Sequence, residues 1–268
     1  MTIGTVLVPA FDDKGIRHAV RAAMPFVQKL RASLNVLHVR ERYPAAHVAE
    51  YYWHTEVLKE FAEKVAQRAQ ELRVAAEEAA GRSDFTWLQP EGVEEADFGP
   101  ASRMADLIVA PPPNVCGRPD AQSLVEQLMI GSGRPVLLTP EDAEPRVPSS
   151  YLVGWNGSIE ATRALAAARP LLETAKRVTV VSVGEIDRPA PDASVIAEAL
   201  NNAGIKAEGR TVGKIGTVTE TLKGEASEAG ADVLLLGAYS HSRLRERVLG
   251  GVTRKTIRQP FMPTLLVH

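Results

Sequence analysis

Glycines and hydroxyl side chains occur near the end of the chain in an order that suits phosphate binding. Gly237 and Ser240 are separated by two residues, and nine further residues lead to Gly250 and Gly251. Glycine lets a backbone approach a phosphate closely, and a helix beginning near Gly251 would direct its positive end toward it. The hydroxyls of Ser240 or Thr253 could add hydrogen bonds. The alternative is a glycine-rich turn that only lets a helix pack closely on a sheet.

Basic side chains flank this segment, and one or two of them could contact phosphate oxygens. They are Arg243, Arg245, Arg247, Arg254, Lys255 and Arg258. We expect most of them to form a solvated face. No aromatic stacking positions lie between them, and 31 Lys+Arg against 33 Asp+Glu give a formal charge of -2. We therefore expect no binding to nucleic acid and no general attraction to anionic membranes.

Two other groups of residues offer weaker signals. His47, Glu50 and His54 have helical spacing, so a two-histidine, one-carboxylate metal site is conceivable, but aromatic neighbours favour an amphipathic helix at a packing contact. We predict no metal there. Cys116 is the single cysteine, which excludes an internal disulfide, and a plain loop residue is favoured over a reactive thiol.

No catalytic set emerges from the sequence. Ser158, Ser240 and Ser242 lack a nucleophile elbow, and the adjacency of His241 to Ser242 says nothing about a pair in space. There is also no evident general base or Mg²⁺-holding carboxylate for phosphoryl transfer. We predict no enzymatic activity beyond slow hydrolysis of a bound phosphate compound.

These candidate residues need a framework, and the whole chain alternates short apolar runs with longer helical stretches. This pattern is typical of an α/β fold with open parallel sheets covered by helices on both faces. In the first half, the predicted strands are Ile3–Pro9, Ser33–Val39, Phe85–Gln89, Asp106–Ala110 and Pro135–Thr139. The predicted helices are Gly15–Arg31, Val48–Ala80, Glu94–Met104 and Ala121–Ile130.

The second half repeats this plan. Its predicted strands are Tyr151–Trp155, Arg177–Val183, Ala207–Val212, Asp232–Gly237 and Thr264–Val267. Its predicted helices are Ile159–Glu173, Ala193–Ala203, Val218–Glu228 and Gly251–Arg258. Local echoes, such as Ala105–Val109 against Ala231–Leu235, indicate an internal duplication. A charged segment with two prolines, Glu141–Pro148, separates the copies, so we predict domains at residues 1–143 and 149–268.

In open α/β sheets, ligands bind at the carboxyl ends of the strands, which is where the glycine-rich segment lies. At these residues the chain resembles the universal stress protein family, whose ATP-binding members carry Gly-x2-Gly-x9-Gly-Ser/Thr after the fourth strand. The spacing matches, although Ser240 replaces the second glycine and Gly251 stands where Ser or Thr is usual. By the same resemblance, Asn156 takes the position of an adenine-binding aspartate, and Val183 would neighbour the adenine.

The first half departs further from that family pattern. Its fourth strand is followed by three prolines, Pro111–Pro113, which remove N–H donors that a phosphate would use. Phe11 takes the aspartate position unless the alignment slips by one residue, in which case Asp12 is the candidate. We expect no nucleotide in this half.

The resemblance implies a stress-response or regulatory protein that binds ATP, with Mg²⁺, through Asn156, Val183, Gly237, Ser240 and the segment Gly250–Thr253. A nucleotide-free module that binds a protein partner is the alternative, and an enzyme of the adenine nucleotide alpha hydrolase-like group is a third, which would need an acidic pair. The resemblance also implies that the halves pair through their sheet edges, and that the chain could dimerise again. With no signal peptide or membrane-spanning segment in the sequence, we expect a cytoplasmic location.

Overall fold

The computed structural model describes residues 2–38, 55–89, 98–186, 189–238 and 251–268. The first half contains strands β1 (Thr5–Ala10), β2 (Ser33–His38), β3 (Thr86–Leu88), β4 (Leu107–Ala110) and β5 (Val136–Leu138). The second contains β6 (Ser150–Gly154), β7 (Arg177–Val183), β8 (Ala207–Val212), β9 (Val233–Gly237) and β10 (Thr264–Val267). The helices are α1 (Asp13–Leu30), α2 (Thr55–Ala80), α3 (Phe98–Ala101), α4 (Ala121–Ser132), α5 (Ile159–Leu172), α6 (Ala193–Asn202), α7 (Val218–Ala229) and α8 (Gly251–Arg258).

The strands form one continuous sheet in the order β3-β2-β1-β4-β5-β10-β9-β6-β7-β8. Each half therefore has the same internal order, and neighbouring strands within a half are parallel. The halves meet where β5 and β10 pair antiparallel, with Leu137 opposite Leu265. The predicted α/β class with open parallel sheets is confirmed, and the expected edge-to-edge pairing of the halves is present. The domain limits at 1–143 and 149–268 stay a prediction.

Apolar side chains fill a layer on each face of this sheet. Along β1, Val6 and Val8 belong to one layer and Leu7 to the other, as the alternation of side chains along a strand requires. Helices α1, α2, α5 and α6 contribute to the first layer, and α4, α7 and α8 to the second. Coverage on both faces explains why the strands are continuously apolar.

The predicted elements agree with the observed ones except in two helices. The predicted helix Glu94–Met104 appears, within the described residues, as the short α3 followed by a 3₁₀ turn, Ser102–Met104. Here Gly99 lies against the backbone of Gly131, where an added Cβ would stand 2.9 Å from the Gly131 Cα. The absence of a side chain at Gly99 permits this close approach to α4, and residues 94–97 of the predicted helix lie outside the described residues. Helix α2 is described from Thr55, so Val48–His54 lies outside the described residues.

The duplication also extends to a matched pair of aspartates that fix the start of a central strand. The Asp106 carboxylate accepts hydrogen bonds from the amides of Gly4 and Thr5, at 2.9 and 3.0 Å. The Asp232 carboxylate accepts them from the amides of Ser149 and Ser150, at 2.8 and 3.0 Å. Each aspartate precedes the fourth strand of its half and holds the first strand in register.

The ionised form of Asp232 is the one that these contacts favour. Burial acts to raise its pKa, but the amide and hydroxyl of Ser149, the amide of Ser150 and the charge of Arg146 together hold the pKa of Asp232 below its ordinary value. Arg146 forms an ion pair with it at 2.8 Å. A carboxyl group with a lowered folded-state pKa stabilises the protein above its unfolded-state pKa of about 4, and this contribution is lost as pH falls through the folded value.

We therefore expect Asp232→Asn to lower the free energy of unfolding by about 1 to 3 kcal/mol at pH 7, because charged hydrogen-bond acceptors are lost. Urea denaturation at pH 7 and pH 3 measures this, and the difference from wild type should shrink at pH 3. The exposed Asp192, whose side chain makes no capping hydrogen bond, provides the control Asp192→Asn, which should change little at either pH. Equal destabilisation by Asp232→Asn at both pH values would contradict the argument.

Candidate functional site

The candidate site lies at the carboxyl edge of the second half, where β6, β7 and β9 end side by side. Helix α5 begins at this edge directly after β6, and α8 begins at Gly251. Two helix N-termini therefore lie in the segments that follow β6 and β9. Backbone N–H groups at such termini, together with the helix dipole, favour an anion.

The turn between β6 and α5 is built by the side chain of Asn156. Its Oδ1 accepts a hydrogen bond from the Ser158 amide at 3.1 Å, and Gly157 adopts a φ of 69°. Ser158 then caps α5 by accepting from the Ala161 amide at 3.1 Å. Within the part of the chain that the structure describes, the Asn156 amide nitrogen makes no hydrogen bond. Asn156 is exposed, so this nitrogen is an available donor at the edge.

Gly237 is the last residue of β9, and the packing of α5 on the sheet requires a glycine at this position. A Cβ at this position would stand 2.4 Å from both the Ala161 amide nitrogen and the Glu160 carbonyl carbon. Any larger residue would push the first turn of α5 off the sheet. Gly237 is thus required by the fold, whether or not a ligand binds.

The other predicted site residues divide into those that the structure describes and those that it does not. Val183 is half-buried at the end of β7 and packs against the apolar layer that contains α7. Thr253 is buried within α8. Ser240 and Gly250 lie outside the described residues, as do Arg243, Arg245 and Arg247. Gly251 and Val252 are placed only by the backbone of α8, while Arg254, Lys255 and Arg258 are exposed on it.

Exposed apolar side chains also occur in the segments that follow the second-half strands, a feature that the sequence did not predict. Ile159, Val195 and Ile215 follow β6, β7 and β8, and they are 64%, 50% and 77% exposed. Ile159 is the first residue of α5 and therefore offers apolar surface beside the end of β6. Helix α6 instead starts against the middle of β8, where Ala193 packs on Gly209, so Val195 lies away from the carboxyl edge.

At the corresponding edge of the first half, a carboxylate of the protein itself accepts hydrogen bonds from the backbone amides. Asp12 follows β1 and is buried; its Oδ1 accepts from the Gly15 amide at 2.6 Å, and its Oδ2 accepts from the Gly117 amide at 2.8 Å. It therefore ties the start of α1 to the loop after β4. Phe11 is a core residue whose ring meets Phe98 edge-on at 5.8 Å. Both carboxylate oxygens of Asp12 accept hydrogen bonds from backbone amides, so Asp12 is poorly placed to bind an adenine base.

Cys116 lies beside this carboxylate. A Cβ added at Gly15 would stand 3.1 Å from the Cys116 Sγ, so the thiol packs against the first turn of α1. Burial, and then the nearby negative charge of Asp12, raise the pKa of Cys116 to about 12. A thiol in this environment is a poor nucleophile, in agreement with the expectation of a plain loop residue.

Neither a metal cluster nor a membrane segment is found within the described ranges. No three side chains of the His, Cys, Asp and Glu types converge there to hold a metal ion. The predicted group of His47, Glu50 and His54 lies outside these ranges. None of the described helices is both long enough and apolar enough to cross a bilayer.

We expect Cys116 to react slowly with thiol reagents, because only about one thiol in ten thousand is ionised at pH 8 when the pKa is about 12. Following the reaction with a chromogenic disulfide at pH 8, with and without urea, measures this. Asp12→Ala should accelerate labelling in the folded protein, since it removes the charge and frees the loop. The control Asp13→Ala should leave the labelling rate unchanged, because it alters an exposed residue that forms an ion pair with Arg17. Rapid labelling of the folded wild type would contradict this assignment.

Comparison with known proteins agrees with this architecture. No family model matches the chain. A universal stress protein from Synechocystis sp. is 27% identical over 149 residues, which are 53% of this chain and 49% of that protein, so the chain spans about half the length of this relative. A universal stress protein from Archaeoglobus fulgidus superimposes with a TM-score of 0.70 at 16% identity, covering 99% of this chain and 96% of that one. A protein of unknown function from Pseudomonas aeruginosa gives a TM-score of 0.54 at 14% identity, covering 99% and 92%. The chain is thus similar to a universal stress protein in sequence over about half its length, and throughout its length it has the tandem universal stress protein fold.

Proposed function

We propose that the protein binds an adenine nucleotide, in the first place ATP, at the carboxyl edge of its second half, and acts as a regulatory protein of the stress response. The observation that carries this proposal is the difference between the two edges. In the first half, the amides of Gly15 and Gly117 are occupied by the Asp12 carboxylate. In the second half, the corresponding turn contains the neutral Asn156 and Ser158.

This difference matters because an anion already supplied by the protein competes with a phosphate for the same kind of donors. Ser158 satisfies one amide of α5 without adding charge, and α8 starts at the same edge. The amides of the turn after β6 therefore hold no carboxylate that a phosphate would have to displace. The three prolines after β4 further reduce the donors of the first half.

The proposed contacts combine the described positions with the spacing of the family motif. The start of α8, with Gly251, Val252 and the Thr253 hydroxyl, would bind phosphates. By the motif, Ser240 and Gly250, which lie outside the described residues, would join them. The Asn156 amide nitrogen would donate to the base. Val183 would pack beside it, and the exposed Ile159 and Ile215 offer further apolar surface. This arrangement agrees with the position of each residue in the family motif.

Mg²⁺ would accompany the nucleotide and be held largely by its phosphates. The structure adds one carboxylate that the sequence reading missed. Glu160 lies in the first turn of α5, is 4% exposed, and makes no hydrogen bond or ion pair in the part of the chain that the structure describes. A lone carboxylate at this edge suits a Mg²⁺ ion that takes its other ligands from phosphates and water.

A nucleotide-free interaction module is the second candidate, and a specific observation favours it. Ile159, Val195 and Ile215 are exposed in the segments that follow the second-half strands, and large exposed apolar side chains are common in protein interfaces. The packing role of Gly237 also removes one of the motif glycines as evidence for a ligand. Nucleotide binding and partner binding predict different results in a titration.

We expect Mg-ATP to stabilise the wild-type protein against thermal and urea unfolding, by about 2.7 kcal/mol at 100 times its Kd. Thr253→Val should weaken binding by removing one phosphate-directed hydroxyl, and Gly250→Trp should abolish it by placing a bulky side chain at a glycine position of the motif. Thr86→Val, an equivalent change at an exposed position of β3 in the first half, is the matched control. Isothermal titration calorimetry of all four proteins measures the affinities.

The outcomes separate the two candidates. Binding by wild type and Thr86→Val that is reduced in Thr253→Val and lost in Gly250→Trp supports the second-half site. If wild type shows neither heat nor stabilisation with Mg-ATP, the nucleotide proposal is wrong and the interaction module is favoured. Equal binding by all four proteins would place the nucleotide elsewhere.

A further inference from the structure

A cavity of about 420 Å³ lies between the two halves, away from the candidate nucleotide site. Its first wall is formed by α1 and the end of β5. Its second wall is formed by residues 231–232 and 262–263, which precede β9 and β10. The connecting segment, residues 140–148, runs along its side. The cavity is therefore at the amino ends of the second-half strands, whereas the nucleotide site is at their carboxyl ends.

Hydrogen bonds hold the connecting segment in place at both ends. The Nε2 of His18 lies 2.9 Å from both the carbonyl oxygen and the hydroxyl of Thr139. Burial lowers the pKa of His18, so the ring is neutral at pH 7 and its Nε2 proton can be donated to the Thr139 carbonyl. At the other end, Asp232 holds both Arg146 and the Ser149 amide at 2.8 Å. These hydrogen bonds fix the position of the cavity wall that the connecting segment forms.

The charged groups that line the cavity fall into two kinds. Arg146 is paired with Asp232, and Glu141 lies 3.8 Å from Lys14. Arg21 and Glu144 also line the cavity, but neither has a hydrogen bond or ion pair within the described ranges. One exposed cation on α1 and one exposed anion on the connecting segment thus have no ion-pair partner among the described residues.

The remaining surface of the cavity is partly apolar. Phe26 and Leu137 belong to the buried apolar layer on one face of the sheet, and Met262 packs against the layer on the other face. An apolar base with a few polar groups at defined positions is the usual composition of a small-molecule site, and the volume is within the range of such sites. The ligand that matches has an anionic end, a cationic end and an apolar part.

We propose that this cavity binds a small zwitterion of the free apolar amino acid class. The carboxylate of the ligand pairs with the Arg21 guanidinium, whose planar fork matches it. The ammonium group pairs with Glu144, and the apolar side chain lies against Phe26, Leu137 and Met262. Because both halves and the connecting segment form the walls, a bound ligand joins them and stabilises the folded chain. This site does not depend on nucleotide binding.

The test is calorimetric titration of the full chain with leucine, methionine and phenylalanine. Each is compared with its carboxamide, which lacks the carboxylate, and with its N-acetyl derivative, which lacks the ammonium group. Arg21→Gln and Glu144→Gln are the test variants. Arg163→Gln and Glu198→Gln, which change exposed residues of α5 and α6, are matched controls for charge. Circular dichroism and unfolding curves confirm that each variant folds.

We expect at least one free amino acid to bind, and each test variant to weaken it by about tenfold, as for loss of a hydrogen bond to a charged group. The carboxamide should bind wild type and Arg21→Gln equally weakly, because it lacks the group that pairs with Arg21. The N-acetyl derivative should bind wild type and Glu144→Gln equally weakly, because it lacks the group that pairs with Glu144. The controls and the affinity for Mg-ATP should be unchanged. If no free amino acid binds wild type, or if both test variants bind as wild type does, the proposal is wrong.

Discussion

The antiparallel pairing of β5 with β10 is the contact on which the rest of the structure depends. Every other strand pairing joins strands of the same half, so this pairing alone makes one sheet from two. Its residues are buried, including Leu137, Leu265 and Leu266, which an unpaired sheet edge would expose to water. The pairing also brings α4 of the first half against α8 of the second and creates the cavity between the halves.

Within this frame, the two halves keep the same scaffold and differ at their ligand edges. Asp106 and Asp232 make the same pair of amide contacts at the starts of β1 and β6, because both strands must be held in the same register. At the opposite edge this constraint is absent. There the Asp12 carboxylate accepts from two backbone amides of the first half, while the uncharged Asn156 accepts from one in the second. The two copies of the fold thus differ in the charge of the side chain that organises this turn.

Packing explains one glycine that a motif search would assign to a ligand. Gly237 allows the first turn of α5 to contact β9. At the same edge, Gly154 allows the Leu236 side chain to pack over β6. The positions of these glycines therefore reflect the packing of the parallel sheet as well as any phosphate.

Local hydrophobic pattern and turn residues were enough to predict the α/β alternation, the duplication and the positions of most strands. They also placed Asn156, Val183 and Gly237 at the ends of strands. What lies beside these residues depends on how the whole chain folds. Asp12 and Gly117 are 105 residues apart, and Arg21 and Glu144 come from different elements, so no local pattern reveals the hydrogen bond of the first two or the cavity that the other two line. Contacts of this kind arise when the sheet brings distant segments together, and they account for the carboxylate that accepts from backbone amides in the first half.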